Sequence, residues 1–233
     1  MRSQRKPIYL LSGGRSSRHG AQKMLLQTVF RESGTATPAI GYVGVANDDD
    51  VLFFERTANI FQEAGALHVK HAVIATTKYN PQKLRDILIA SDIIFIAGGD
   101  VEKGMQLLRE REIIAYLNEL YKGGKLFFGS SAGSIMLAKE WVRWTDPDND
   151  SAVELFPCLG FASVICDTHD ELEGWQELQT ALMLEPDDTR GYGIVSGAGL
   201  KVYPDGKVHA VGSAVHQFIR RDKKVQRLND LIP

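Results

Sequence analysis

The chain has 233 residues, of which 44% are hydrophobic and 24% are charged. These values are typical of a globular protein and exclude a disordered chain, a collagen-like fibre and a disulfide-stabilised miniprotein. The 27 Lys and Arg residues nearly balance the 29 Asp and Glu residues, giving a net charge of -2. This balance argues against nucleic acid or an anionic membrane as a partner.

The length predicts one α/β domain over residues 1–233, because such domains often reach about 200 to 250 residues. Cys158 and Cys166 form neither a CxxC metal pair nor a disulfide framework, and we expect two buried thiols. The first apolar run, residues 8–11, is too short for a signal-peptide core or a membrane span. These features predict a cytoplasmic protein.

Short apolar runs alternate with longer helix-period segments, as expected for helices packed on both faces of a mostly parallel sheet. In the first half of the chain, the predicted strands are residues 8–11, 40–46, 67–74, 93–97 and 125–128. The predicted helices are residues 51–64, 82–90 with Pro81 at the first helical position, 104–121 and 131–141.

The rhythm changes after Trp144, where the polar run 146–150 predicts a loop. A strand at 161–166 and a helix at 171–184 follow it. Two further strands, joined at Pro204-Asp205-Gly206, are typical of a hairpin. The absence of a Pro- or Ser-rich linker supports one continuous domain.

The most informative segment runs from a strand through G-x-S-x-G, at residues 129–133, into a helix. Small residues around Ser131 allow an abrupt turn that exposes its hydroxyl above the sheet, which is the geometry of a nucleophile elbow. The helix N-terminus adds partial positive charge where an oxyanion would develop. A structural turn is the alternative interpretation.

A second glycine loop, Gly98-Gly99-Asp100, also follows an apolar strand and precedes a helix. Because it lies one βα unit upstream of Ser131, it could supply an oxyanion N–H from Gly99 beside that of Ala132. Gly98 and Asp100 are accordingly candidate substrate-binding residues. Taken alone, the loop could equally be an ordinary βα turn.

Three motifs together resemble the serine peptidases that include dipeptidase E and cyanophycinase: A-G-G-D at 97–100, G-S-S-A-G at 129–133 and D-T-H at 167–169. The similarity extends over roughly residues 93–202. It implies a flavodoxin-like, class-I-glutaminase-like three-layer sandwich with a mostly parallel sheet. It further implies a serine nucleophile at Ser131, a general base at His169, and neither a metal nor an organic cofactor.

The acid that would orient His169 is left open. The resembling proteins commonly place an acid in the segment 193–198, where this chain has Ser196. Asp146 matches another position proposed for the family and is the first candidate, with a solvated loop carboxylate as the equal alternative. The departure at Ser196 also keeps open a catalytically impaired binding protein on the same fold.

The substrate is predicted only as a class, short peptides or related amides. Specificity for an N-terminal aspartate would need a cationic partner, yet the segment 170–177 is acidic and would equally suit a cationic substrate. Arg190 is the candidate for binding a substrate carboxylate. The sequence leaves a homodimer open.

A rival signal lies at residues 13–23, which resemble the G-G-x-S-x-R-x-G-x-x-K loop of sugar and cofactor nucleotidyltransferases. The chain does not place paired acidic residues where magnesium would then be needed. We therefore expect a basic loop at the rim of the serine pocket, where Arg15 or Arg18 could bind a substrate carboxylate.

Overall fold

The structure is a computed structural model that describes residues 4–13, 19–146, 148–149 and 151–233. In chain order its helices and strands are β1 (Ile8–Leu11), α1 (His19–Glu32), β2 (Ala39–Val43), α2 (Val51–Ala64), β3 (His68–His71), α3 (Pro81–Ala90), β4 (Ile93–Ile96), α4 (Val101–Glu110), α5 (Ile114–Lys122), β5 (Leu126–Ser130), α6 (Ala132–Leu137), β6 (Glu140–Trp144), β7 (Val153–Pro157), β8 (Ile165–Thr168), α7 (Gln176–Leu184), β9 (Arg190–Ile194), β10 (Gly199–Val202), β11 (Val208–Val211), β12 (His216–Arg221) and β13 (Lys224–Arg227).

The central sheet has the strand order β11-β10-β1-β5-β4-β2-β3 in the described part of the chain. The five strands from β1 to β3 in this order run parallel, and the β10–β11 hairpin adds an antiparallel edge. The carboxyl ends of β1, β5 and β4 therefore lie side by side. Ligands of open α/β sheets bind at this edge.

Alternate residues of the central strands face two hydrophobic clusters, one on each side of the sheet. Phe127 of β5 faces the cluster built with α3, α4, α5 and α6, whereas Leu126 and Phe128 face the cluster built with α1 and α2. Strands that are buried on both faces read as continuous apolar runs in the sequence. This three-layer arrangement confirms the predicted fold class.

A second sheet, with the order β13-β12-β9-β8, packs on the side of the central sheet that carries α3 to α6. Cys166 of β8 and Tyr192 of β9 belong to the same hydrophobic cluster as the helices α4 to α6. On its other side, α7 covers this sheet through Leu178 and Leu182, which pack with Val142 of the β6–β7 hairpin. The strand β8 is thereby held next to α6.

Helix starts follow local side-chain chemistry. Asp50, Asn80 and Asp100 each accept a backbone N–H from the first turn of the following helix, α2, α3 and α4 respectively. Such N-caps satisfy amides that would otherwise lack an acceptor. The cap at Asp100 matters for the site, because it fixes the end of the Gly98-Gly99 loop.

The structure corrects three predicted helices. The helix predicted for 171–184 begins only at Gln176, after Trp175, whose φ of 64° lies in the left-handed region. The predicted helix 104–121 is two helices, α4 and α5, separated near Glu112, whose φ of 56° cannot continue an α-helix. The predicted helix 131–141 ends at Leu137, and Glu140 already belongs to β6. The apolar residues on either side of Glu112 and after Leu137 are buried although the helix is interrupted there. The helical spacing of apolar residues in the sequence therefore continues past the ends of the helices.

Candidate active site

Ser131 lies between β5 and α6 with φ 54° and ψ −130°, a backbone conformation that L residues rarely adopt. Its amide donates to the carbonyl oxygen of Leu11 at 3.0 Å, and the Ser134 hydroxyl donates to the same oxygen at 2.7 Å. These two bonds tie the corner to the carboxyl end of β1. The Ser131 side chain is half-buried at the edge of the sheet.

The glycines of G-x-S-x-G are required by close approach. A Cβ on Gly129 would overlap the carbonyl of Gly133, and a Cβ on Gly133 would overlap the carbonyl of Ile96 in β4. The start of α6 therefore rests directly on the neighbouring strand. This contact turns the chain sharply and leaves the Ser131 hydroxyl outside the helix.

His169 follows β8 with a φ of 46°, and its amide donates to the carbonyl oxygen of Ile194 at 3.0 Å. Its ring atom Nε2 lies 2.7 Å from the Ser131 Oγ. When Nε2 accepts a hydrogen bond from the hydroxyl, the neutral ring carries its own hydrogen on Nδ1. The structure thus brings the predicted nucleophile and the predicted base into hydrogen-bonding contact across two sheets.

The Gly98-Gly99 loop lies on the other side of Ser131. A Cβ on Gly98 would lie 3.1 Å from the Ser131 Cβ, so the loop touches the serine corner. Gly99 has a φ of 147°. In the described part of the chain, neither the Gly99 amide nor the Ala132 amide has a hydrogen-bond acceptor. Both residues line the pocket that Ser131 and His169 share.

The structure gives the expected orienting acid no contact with His169. Asp146 lies in the turn of the β6–β7 hairpin, where its Oδ1 accepts the Asp148 amide at 3.0 Å, and it makes neither a hydrogen bond nor an ion pair with His169. Ser196 is exposed, and its amide is bound by the Glu171 carboxylate. Among the residues that the structure describes, no carboxylate reaches the His169 ring at ion-pair distance.

The pocket beside the serine has a volume of about 450 Å³, within the range of small-ligand sites. Several acidic side chains contribute to its described lining, together with Trp141: Asp100, Glu102, Asp167, Asp170 and Glu177. Arg143 pairs with Glu102 at 2.5 Å, and the Trp141 indole donates to Glu177 at 2.6 Å.

Asp167 is the most perturbed of these acids. Burial raises its pKa to about 7, and the charges of Glu177 and Asp170 add to this effect, while the hydrogen bond from the Thr168 amide opposes it. Its Oδ1 accepts that amide at 2.7 Å, and its Oδ2 has no partner in the described part of the protein. Burial also raises the pKa values of Asp170 and Glu177.

The three predicted substrate-binding residues have different surroundings. The carbonyl of Gly98 is already bound by the Asn47 side chain, and the Asp100 carboxylate caps α4. Arg190 begins β9, whereas His169 lies beside Ile194 at its other end. Four residues of strand separate them by roughly 13 Å, and Arg190 does not line the pocket. Arg190 therefore lies at the start of β9, away from the site at the end of that strand. The sequence around a single arginine does not show at which end of a strand it will lie.

Only the two ends of the loop at residues 13–23 belong to the residues that the structure describes. Residues 14–18, including Arg15 and Arg18, lie outside the described residues, and Lys23 is an exposed residue of α1. Gly13 packs against the serine corner, because a Cβ there would lie 3.3 Å from the Ser131 Cβ. This end of the loop therefore packs against the serine corner.

Sequence reasoning missed two contributors to the site. Trp141 was placed in a helix, but it belongs to β6 and reaches the pocket from the hairpin. Asn47 is not among the predicted site residues, although its side chain binds the Gly98 carbonyl. The position of Asn47 after a parallel strand was the available signal, since such positions meet at one edge of the sheet.

Neither metal-binding clusters nor membrane spans emerge from residues 4–13, 19–146, 148–149 and 151–233. No group of three or more His, Cys, Asp or Glu side chains in these ranges could hold a metal ion. None of the helices in the same ranges is both long and apolar enough to cross a bilayer.

The fold and the site together define a class: an α/β protein that presents a serine at a strand-to-helix corner against a histidine. The model of peptidase family S51 matches residues 8–210. The chain therefore belongs to peptidase family S51.

Individual relatives agree with this assignment. The chain is 24% identical over 209 residues to the uncharacterized peptidase YgaJ of Bacillus subtilis (strain 168), covering 89% of this chain and 88% of that protein. A peptidase from an acI-B1 actinobacterium has a similar fold, with a TM-score of 0.69, 15% identity, and coverage of 98% of this chain and 97% of the other. A putative peptidase E protein from Listeria monocytogenes EGD-e gives a TM-score of 0.63 at 17% identity, covering 89% and 98%.

Proposed function

We propose that this protein is a serine peptidase that hydrolyses short peptides, with Ser131 as nucleophile and His169 as general base. The observation that carries the proposal is the 2.7 Å contact between the Ser131 Oγ and the His169 Nε2 at a strained corner. A serine hydroxyl is a weak nucleophile until a neighbouring base accepts its proton. Membership of a peptidase family supports the reaction class.

In the first half of the reaction, the Ser131 Oγ attacks the carbonyl carbon of the substrate as its proton passes to the His169 Nε2. The negative charge on the carbonyl oxygen is stabilised by the free amides of Gly99 and Ala132. The C–N bond then breaks, and His169 returns the proton to the leaving amine. The acyl group remains on Ser131.

In the second half, water attacks the acyl carbon while His169 accepts one of its protons. The ester bond to Ser131 breaks, the Oγ recovers the proton, and the carboxylic acid product leaves. The pocket of about 450 Å³ suits a substrate of a few residues. In this arrangement the Gly98-Gly99 loop lies directly beside the scissile carbonyl.

Labelling with a fluorophosphonate probe tests this proposal, because the probe reacts with activated serines. Wild type is expected to label at Ser131 and to hydrolyse members of a dipeptide library. Ser131→Ala should abolish both, and His169→Ala should slow labelling by at least about 100-fold, the lower range for loss of a general base. Ser163→Ala is the matched control, since Ser163 is exposed and outside the pocket.

A binding protein on the same fold is the second candidate, favoured by the absence of an acid on the His169 ring in the described residues. It predicts a different result. Wild type would neither label nor hydrolyse any dipeptide, yet it would bind a peptide with equal affinity in wild type and Ser131→Ala. That outcome would overturn the peptidase proposal.

A further inference from the structure

The side chain of Asn47 joins the loop after β2 to the loop after β4. Its Nδ2 donates to the Gly98 carbonyl oxygen at 2.9 Å and to the Tyr42 hydroxyl at 3.2 Å. Its Oδ1 accepts the amide of Asp50 at 3.3 Å. Because a carbonyl can only accept and an amide N–H can only donate, these partners fix the orientation of the Asn47 carboxamide.

The order of the strands determines which side of Gly98 faces Asn47 and which side faces Ser131. The strand β4 lies between β2 and β5 in the central sheet, so Gly98 has Asn47 on one side and Ser131 on the other. The Gly98–Gly99 peptide is trans, which places its C=O and its N–H on opposite sides. With the carbonyl held toward Asn47, the Gly99 N–H is turned toward Ser131.

We propose that Asn47 is a positioning residue that holds the Gly98–Gly99 peptide with the Gly99 N–H directed at the reacting carbonyl. The inference rests on the proposed function and deepens it, because it assigns what keeps one oxyanion donor in place. Without this bond the peptide could rotate. Its carbonyl oxygen would then face the developing negative charge and repel it.

The loop that carries Asn47 is itself firmly held. The buried Asp49 carboxylate binds the His71 Nε2 at 3.1 Å and the amides of Ile74 and Ala75 at 2.5 and 2.6 Å. The carbonyl of Ala46 accepts the Asp100 amide at 2.7 Å, and a Cβ on Gly99 would overlap that carbonyl. Asn47 thus acts from a rigid base rather than from a free loop.

Two substitutions of similar size test the role. Asn47→Leu removes the donor, and Asn47→Asp replaces it with an oxygen that repels the Gly98 carbonyl. We expect kcat for the best dipeptide to fall about 10- to 100-fold with KM changed less than threefold, below the ~10²–10³-fold cost of deleting an oxyanion donor outright. The rate constant for fluorophosphonate labelling should fall in parallel, most strongly for Asn47→Asp.

Asp50→Ala is the control, because it removes the α2 cap in the same loop without touching Gly98. Asp50→Ala should lower the melting temperature and leave kcat within about twofold of wild type. Asn47→Leu should lower kcat at saturating substrate, and its circular dichroism spectrum should show an intact fold. Three results would overturn the inference while leaving the proposed function standing. They are an unchanged kcat in folded Asn47→Leu, an effect of Asn47→Leu on KM alone, and a fall of kcat in Asp50→Ala equal to that in Asn47→Leu. A wild type that neither labels nor hydrolyses would overturn both.

Discussion

Ser131 stands on the central sheet between β5 and α6, whereas His169 stands at the end of β8 in the four-stranded sheet. The serine corner is fixed by backbone contacts, with α6 resting on β4 and the Ser131 amide bound to Leu11. The histidine is exposed, and its hydrogen bonds in the described residues are the backbone bond to Ile194 and the ring bond to Ser131.

Ser131 and His169 are therefore positioned by two different kinds of contact. The proposed nucleophile, Ser131, and the proposed oxyanion amides of Gly99 and Ala132 are placed by main-chain geometry. The proposed base, His169, is placed by the packing of one sheet against another, which depends on the contacts around α6, α7 and the β6–β7 hairpin. Damage to the corner should therefore be more severe than damage to the acidic surroundings of the histidine.

The largest effect is expected at Gly133. Gly133→Ala forces a methyl group against the Ile96 carbonyl, and such overpacking costs about 1–3 kcal/mol or more. Because it also displaces Ala132 from the reacting carbonyl, we expect at least a 100-fold loss of kcat, typical of a misplacement near 1 Å. Chemical denaturation and dipeptide kinetics measure the two effects.

Gly123→Ala is the matched control for this corner. Gly123 lies at the end of α5, where a Cβ would be 3.2 Å from the Glu119 carbonyl oxygen and needs only a small adjustment. The dipeptidase activity of the Gly123→Ala variant should remain at the wild-type level. Wild-type activity in Gly133→Ala would show that the corner is less rigid than its contacts indicate.

An intermediate effect is expected at Asp167, on the histidine side. Burial raises its pKa to about 7 from 3.8, so the folded state holds a proton that the unfolded state releases. Stability should therefore fall as pH rises from about 4 to 7, by up to about 4 kcal/mol for a shift of roughly three pKa units. Urea unfolding of wild type at pH 4, 5.5 and 7.5 measures this slope.

The variant Asp167→Asn should remove this part of the pH dependence, because it cannot ionise and it keeps the acceptor for the Thr168 amide. Asp222→Asn, at an exposed position, should keep the wild-type slope. An identical slope in Asp167→Asn and wild type would contradict the assignment to this carboxyl group.

The smallest effect is expected at Asp146. Since its carboxylate binds the Asp148 amide in a hairpin turn, Asp146→Ala should change kcat/KM by less than about threefold. Loss of the acid in a Ser-His-Asp triad costs about 10⁴-fold, so kinetics separates the two outcomes clearly. A loss above 100-fold would restore Asp146 as the orienting acid and require the hairpin to move toward His169.

The fold was largely readable from the sequence, because strands buried on both faces leave unbroken apolar runs and capping residues mark the helices. Strand β1 and helix α2 have the predicted bounds. The β6–β7 hairpin was not predicted. The helix predicted for 131–141 extends over Glu140 and Trp141, the first two residues of β6, and β7 lies beyond the loop predicted at 146–150. The hairpin turn also decided that Asp146 lies apart from His169.

The serine corner could be predicted from local sequence, since Gly129 and Gly133 flank Ser131 where only glycine fits between strand and helix. Three contacts or separations depend on the folded chain: His169, 38 positions away, reaches the Ser131 Oγ, Arg190 lies at the far end of its strand, and Asn47 binds Gly98. Local chain geometry is encoded by neighbouring residues, whereas contacts between distant segments depend on strand order and on how two sheets pack.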